Sequence, residues 1–313
     1  MTWRVLVSAP YMQPVLHEYQ HVFAENNIEL VIPPVRERLS EEELLPWIGD
    51  IDGVICGDDQ FTERLLHAAP RLKVISKWGT GVDSIDHKAA CRAGVRVYNT
   101  PNAFTEPVAD TVLGYILCFA RQLPWMDRDI RSGVWTKRHC VALRECTFGV
   151  IGVGNIGKVV IRRAIAFGMR VFGNDIIEIP LPFVAESNLE VLSLDDLLRQ
   201  ADFVSLHCDL NPTSFHLIGE RELQLMRTTA FLVNTARGPV VDEEALVRAL
   251  QEHRIAGAAL DVFEEEPLPD HSPLRRFDNV LLAPHSANSS REAWRRVHEN
   301  TIQNLLEGLK ASG

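Results

Sequence analysis

Thr147-Phe148-Gly149-Val150-Ile151-Gly152-Val153-Gly154-Asn155-Ile156-Gly157 is an apolar run that opens into three glycines spaced as G-x-G-x-x-G. The run before Gly152 reads as a buried strand; Lys158 to Phe167 is helix-compatible, and Gly168 is suited to close that helix. A second apolar stretch then leads to Asp175, 18 residues beyond Gly157. Strand, glycine turn, helix and an acidic strand end together form the dinucleotide fingerprint of a doubly wound α/β unit. Gly152 permits the tight turn, Gly154 lets the backbone approach a pyrophosphate, and Gly157 lets the helix pack on the strand. The helix start offers open N–H groups and a positive dipole end to that anion. Asp175 would accept hydrogen bonds from the adenosine ribose and repel a 2′-phosphate. Ile176, Ile177 and Glu178 bring no arginine to reverse that preference, so NAD is favoured over NADP.

Strand-like and helix-like segments alternate on both sides of this turn. Upstream, strands are expected at Val5–Val7, Leu30–Ile32, Gly53–Cys56, Lys73–Ser76 and Arg96–Tyr98, and helix starts at Ser40-x-x-Glu43 (a capping box) and Thr62. A long amphipathic helix is expected from Thr105 to Arg121, closed by Pro124. Downstream, strands follow at Phe148–Ile151, Arg170–Phe172, Phe203–Leu206, Phe231–Asn234, Ala258–Leu260 and Val280–Leu282, with a last helix over Ser290–Leu309. Two β-α series point to two parallel-sheet domains, as does a length of 313 residues at roughly 150 per domain.

Composition narrows the class further. Apolar residues are 46% and charged residues 24%, a globular balance. The net charge of −10, from 32 Lys and Arg against 42 Asp and Glu, lacks the basic footprint of nucleic-acid or anionic-membrane binding. The longest nearly unbroken apolar stretch, Val112 to Ala120, is about half of a membrane span. The N-terminus has no signal-peptide pattern, and the six cysteines form no C-x-x-C pair, so neither a disulfide framework nor a metal site is expected. A reduced, cytoplasmic chain is the expectation.

Three polar motifs sit where later strands of the second series should end. They are Asn234-Thr235-Ala236-Arg237-Gly238, Asp261-Val262-Phe263-Glu264-Glu265-Glu266-Pro267 and Pro284-His285-Ser286-Ala287. Ligands of open α/β sheets bind beyond the carboxyl ends of the strands, so the three should converge on the cofactor side. A histidine suits proton exchange near neutral pH, a carboxylate would orient it, and an arginine fork suits a carboxylate or a carbonyl oxygen.

These motifs, in this order, resemble those of the D-2-hydroxyacid dehydrogenase family, in its phosphoglycerate dehydrogenase-related branch. Gly79-Thr80-Gly81-Val82-Asp83 and Asn99-Thr100-Pro101 extend the resemblance to nearly the whole chain. It implies that Arg237 binds and polarises the substrate, that His285 exchanges the proton, and that Glu266 pairs with His285. It also implies that Thr80, Gly81 and Val82 hold the substrate carboxylate, and that Lys77 stands at a substrate-binding place where phosphoglycerate dehydrogenases bring a basic residue to the substrate phosphate. Gly152, Gly154, Asn155, Ile156, Gly157, Asp175, Cys208, Thr235, Ala236 and Asp261 would line the NAD site.

The implied architecture is two Rossmann-like or flavodoxin-like parallel-sheet domains with a cleft between them. Residues 1–100 plus 288–313 would form a discontinuous substrate-binding domain, and 101–287 the NAD-binding domain. Thr105–Arg121 and Ser290–Leu309 would be the crossing helices, and the expected assembly is a homodimer. The implied reaction is NAD-dependent interconversion of a D-2-hydroxy acid and its 2-oxo acid. Alternatives are an NAD-responsive, co-repressor-like binding protein on the same scaffold, or phosphoglycerate dehydrogenase proper. Formate dehydrogenase is disfavoured because that branch pairs its histidine with Gln, where Glu266 stands here. The loop Gly57-Asp58-Asp59 is acidic where phosphoglycerate dehydrogenases carry an arginine, so a small, unphosphorylated 2-oxo acid is the expected substrate.

Overall fold

A computed structural model describes residues 2–311, which divide into two compact units, one formed by residues before Thr105 and after Ser289, the other by Thr105–Ser289. The division falls at 104/105 and 289/290, a few residues beyond the sequence boundaries at 100 and 287.

In the first unit the strands are β1 (Trp3–Val7), β2 (Ile28–Val31), β3 (Gly53–Cys56), β4 (Val74–Lys77) and β5 (Arg96–Tyr98). They form one parallel sheet in the order β2-β1-β3-β4-β5. Both β3 and β4 are buried at every position, as expected of strands covered on two faces. Helix Glu41–Ile48 starts at the reciprocal Ser40–Glu43 capping box, and helix Glu63–His67 starts where Thr62 Oγ1 accepts from Leu65 N–H. The last helix, Arg291–Lys310, returns to this sheet. Ser76 Oγ donates to the Thr301 carbonyl at 2.7 Å, and Asn304 Nδ2 to the Asn99 carbonyl at 3.0 Å. Gly308 lies so close to β4 that a Cβ there would fall 2.3 Å from Val74 Cγ2.

The second unit continues with β6 (Thr147–Ile151), β7 (Arg170–Asn174), β8 (Glu190–Val191), β9 (Phe203–Leu206), β10 (Phe231–Asn234), β11 (Gly257–Leu260) and β12 (Val280–Leu282). Their order is β12-β11-β10-β9-β6-β7-β8, all parallel, with the reversal of strand order at β6. One face is covered by helices Thr105–Arg121 and Asn155–Ala166, whose Val112, Ile116, Val160 and Ile161 are fully buried. The other face packs around Leu197, Leu223, Leu246 and Leu250. Each such side chain contributes about 1.5–3 kcal/mol by leaving water.

Two local features differ from the sequence expectation. Pro124 does not simply close the long helix. Gln122 adopts a left-handed conformation (φ 50°), and a new helix, Leu123–Arg131, begins with Pro124 in its first turn, where the missing N–H costs nothing. The edge strand β8 has only two residues and no alternating pattern to announce it; Arg170 holds it through a bidentate pair with Glu190. No helix is long and apolar enough to cross a membrane among the described residues.

Candidate active site

The glycine turn occupies the carboxyl end of β6, at the point where the strand order reverses, which is where open sheets bind ligands. Gly152 has φ +90°, and a Cβ on it would meet the His207–Cys208 backbone at 2.6 Å. A Cβ on Gly157 would lie 2.1 Å from the Gly152 carbonyl, so the helix packs onto the turn through bare backbone. By contrast a Cβ on Gly154 would meet nothing within 4 Å, and as N-cap this residue has no side chain to fill the helix start. Open space over uncapped helical N–H groups is a cradle for a pyrophosphate.

Asp175 follows β7 and folds over the same turn. Its Oδ2 accepts from Val153 N–H at 2.6 Å and its Oδ1 from Ile177 N–H at 3.0 Å. Each oxygen retains lone pairs for a ribose hydroxyl. Thr235 Oγ1 is buried with no hydrogen-bond partner among the described residues, an atom that a bound dinucleotide could satisfy. Asn155 and Ile156 open the helix, and Cys208 flanks Gly152. Burial pushes the Cys208 thiol up to about 11, so it is a neutral filler at physiological pH.

His207, beside it, is held neutral by burial, its ring brought down to about 3, with Ser205 Oγ 2.9 Å from Nε2. In the unfolded chain the same ring protonates near about 6.5. The unfolded state therefore binds the extra proton between these values, and stability falls as pH drops through that window. A thermal-melt series from about pH 7 to pH 4 should show a shallower loss of Tm in His207→Gln than in the parent protein.

Beyond β10, Asn234 ties its own loop. Its Oδ1 accepts from Ala236 N–H at 3.0 Å and its Nδ2 donates to the Arg237 carbonyl at 2.9 Å. Arg237 is extended (φ −146°, ψ 144°), with Nη1 donating to the Ala236 carbonyl at 2.9 Å. Gly238 then passes directly against the loop after β11, where a Cβ would fall 1.9 Å from the Phe263 carbonyl carbon and oxygen. That contact joins the arginine motif to the glutamate motif. Asn234 and Gly238 belong to the motif that follows β10 but not to the site expected from sequence. An Asn opening a post-strand turn is the available signal for the first, and no local signal marks the second.

The glutamate and histidine motifs meet in turn. Glu266 Oε2 lies 3.0 Å from His285 Nδ1, and Glu266 Oε1 accepts from Phe263 N–H at 2.9 Å. Both side chains are mostly buried, at 14% and 21% exposed. His285 has φ 49°, and its N–H donates to the Asp261 carbonyl at 2.8 Å. Asp261 is buried, and its two carboxylate oxygens accept from Ser286 and Ala287 N–H, each at 2.9 Å. Burial raises its pKa while these two donors oppose the rise. Both oxygens of Asp261 thus clamp the histidine segment. Glu264, two positions before Glu266, turns instead to His216 Nε2 at 2.8 Å.

In the first unit, Gly79 (φ +124°) opens the loop that carries Thr80, Gly81 and Val82. Thr80 is fixed through its Oγ1 to the Thr100 carbonyl and through its own carbonyl to Asn99 Nδ2. The backbone N–H groups of Thr80, Gly81 and Val82 donate to no protein atom among the described residues, leaving three donors for a ligand. Lys77 is buried and paired with Asp58. Asp59 does not join the acidic loop surface expected from sequence. It is fully buried, accepting from Ser8 Oγ, Leu39 N–H and Gly57 N–H. Of the two carboxylates that make this loop acidic in sequence, only Asp58 reaches solvent, and it is paired with the Lys77 ammonium.

A dinucleotide-binding sheet with a carboxylate–histidine pair and an arginine beyond its strand ends defines an NAD-dependent oxidoreductase. The model of the family "D-isomer specific 2-hydroxyacid dehydrogenase, NAD binding domain" matches residues 113–287. The chain belongs to the D-isomer specific 2-hydroxyacid dehydrogenase family. It is 43% identical over 283 residues to a glyoxylate reductase of Thermofilum pendens, covering 87% of this chain and 82% of that one. It is 41% identical over 276 residues to a D-3-phosphoglycerate dehydrogenase of Methanocaldococcus jannaschii, covering 87% of this chain but 52% of that one. The structure of D-lactate dehydrogenase from Aquifex aeolicus, complexed with NAD and lactic acid, superposes with a TM-score of 0.86 at 29% identity over 98% of both chains. The protein is an NAD-dependent oxidoreductase of D-2-hydroxy acids.

Proposed function

We propose that the protein reduces a small, unphosphorylated 2-oxo acid, such as glyoxylate or hydroxypyruvate, to its D-2-hydroxy acid, using NADH in the cytoplasm. The observation that carries this reading is the Glu266–His285 pair held beyond the strand ends of a dinucleotide-binding sheet. A carboxylate only accepts, so His285 Nδ1 carries the hydrogen toward Glu266, and Nε2 is the nitrogen this reading assigns to the proton transfer. When bound, the nicotinamide supplies or takes the hydride. In the reductive direction His285 Nε2–H gives its proton to the carbonyl oxygen, and Glu266 compensates the charge of the ring before that transfer. The Arg237 guanidinium draws the carbonyl oxygen and stabilises negative charge gathering on it. The N–H groups of Thr80, Gly81 and Val82 hold the 1-carboxylate. Gly152, Gly154, Asn155, Ile156 and Gly157 take the pyrophosphate; Asp175 takes the ribose and disfavours the 2′-phosphate of NADP. Thr235, Ala236 and Cys208 line the rest of the cofactor.

The test is turnover of NADH and NADPH across glyoxylate, hydroxypyruvate, pyruvate, phosphohydroxypyruvate and bulky 2-oxo acids. Faster turnover of glyoxylate or hydroxypyruvate with NADH is expected. Preference for NADPH would overturn the Asp175 reading. Tight NADH binding with no turnover would favour a binding protein.

A homodimer is part of the same proposal. Helix Leu123–Arg131 buries none of its residues, and Leu123, Ile130, Val134 and Trp135 are exposed, Trp135 by 88%. Exposed large apolar side chains this close in sequence suit a self-complementary interface. Sedimentation should give a dimer that Trp135→Asp weakens; a monomeric parent protein would sink the idea.

A further inference from the structure

The carboxyl edge of the five-stranded sheet holds a buried cation. Lys77 is 3% exposed, and its ammonium donates to the Trp78 carbonyl at 3.1 Å and pairs with Asp58 Oδ1 at 3.0 Å. The Asp58 side chain is 33% exposed, so on this edge the chain's own carboxylate both covers the ammonium and meets solvent. A Cβ built on Gly79 would lie 3.5 Å from Lys77 Nζ. The ammonium therefore sits under the residue that opens the Thr80–Val82 loop. Trp78 lies among Tyr11, Phe104 and Trp294 at centroid distances of 5.5–5.8 Å and donates its indole N–H to His298 at 2.9 Å. Packing of this kind fixes the backbone on which Lys77 stands.

A buried ammonium needs an anion. Next to a loop with three open N–H donors, that need could be met by a second acidic group on a ligand. Here Asp58 meets it first. A phosphate ester or distal carboxylate arriving at this edge has to displace Asp58 and faces its negative charge. A neutral or hydroxyl-bearing tail does not.

We propose that Asp58 is a specificity determinant that keeps Lys77 from recruiting a second anion, confining the enzyme to 2-oxo acids whose only charge is the 1-carboxylate. This rests on the functional reading above and assigns the substrate class of that same site. The test compares kcat/KM for hydroxypyruvate and phosphohydroxypyruvate, a pair that differs only in the distal phosphate. The parent protein should favour hydroxypyruvate by about 100-fold or more, and Asp58→Asn should move that ratio about tenfold or more toward the phosphorylated acid. The double variant Asp58→Asn/Lys77→Met, which leaves no buried charge unpaired, should lose the shift. Asp58→Ser serves as a second single variant, and circular dichroism reports folding of all of them. An unmoved ratio in both single variants, a shift that survives without Lys77, or a parent protein indifferent to the phosphate would each overturn the proposal. Tryptophan-fluorescence titration with D-glycerate and 3-phospho-D-glycerate reads the same contrast without turnover. A protein that reduces no 2-oxo acid would sink the functional reading, while these titrations would still decide the role of Asp58.

Discussion

His285→Ala is expected to lower kcat by about 10²- to 10⁴-fold, the range for removing a positioned acid–base group. The site is built so that this one ring is held in place from several sides. Nδ1 is committed to Glu266 at 3.0 Å, Glu266 is itself fixed by the Phe263 N–H, and Asp261 holds the backbone on both sides of the ring. The ring is thereby held in one orientation, which is what the proposed proton transfer through Nε2 requires. Glu266→Gln keeps a hydrogen-bond acceptor but removes the charge, and should cost less, about 10- to 100-fold. NADH titration by fluorescence separates lost chemistry from lost cofactor binding. Retention of more than about a tenth of the parent kcat in His285→Ala would remove His285 from the proton transfer.

The second large effect is at Arg237. Arg237→Ala should lower kcat/KM by about 10²- to 10³-fold, with KM raised as well as kcat lowered, because the side chain is proposed to bind the ground state and also to stabilise charge on the oxygen. Arg237→Lys should recover little, since an ammonium cannot reproduce a planar two-pronged donor. The backbone makes the arginine's position strict. It lies between the Asn234 clamp and Gly238, whose approach to Phe263 leaves no room for a methyl group. Steady-state kinetics across the substrate panel checks both variants. A Lys variant equal to the parent protein would show that only the charge is used.

The fold was legible because its signals are local. Buried parallel strands read as short apolar runs, the Ser40–Glu43 box and the Thr62 cap lie within one helical turn, and the G-x-G-x-x-G turn is a contiguous word. Where the signal was short or shared, the reading failed: β8 has two residues, and Pro124 reads equally as a stop or as a first turn. The site was legible in a different way. Chemistry and strand ends pointed to Arg237, His285 and a carboxylate among Glu264, Glu265 and Glu266, and only the family resemblance singled out Glu266; its contact with His285 spans 19 positions and no periodicity encodes it. The first-unit loop shows the limit most clearly. Asp58 and Asp59 are adjacent and chemically alike, yet one covers an ammonium and the other is buried beneath Ser8 and Leu39. Which way each side chain turns is decided by tertiary hydrogen bonds that the two letters do not carry.

The return of helix Arg291–Lys310 to the first sheet has a consequence for biosynthesis. The second unit is contiguous in the chain, so all of its strands are synthesised before the last helix. Domains fold as units during synthesis, and the unit that is translated second can thus finish folding first. The five strands made earlier wait with Val74 and Ser76 uncovered until Gly308 and Thr301 emerge to meet them. Over that interval the nascent chain carries an exposed apolar sheet face, which makes the early strands, rather than the catalytic unit, the natural client of chaperones that bind emerging polypeptides.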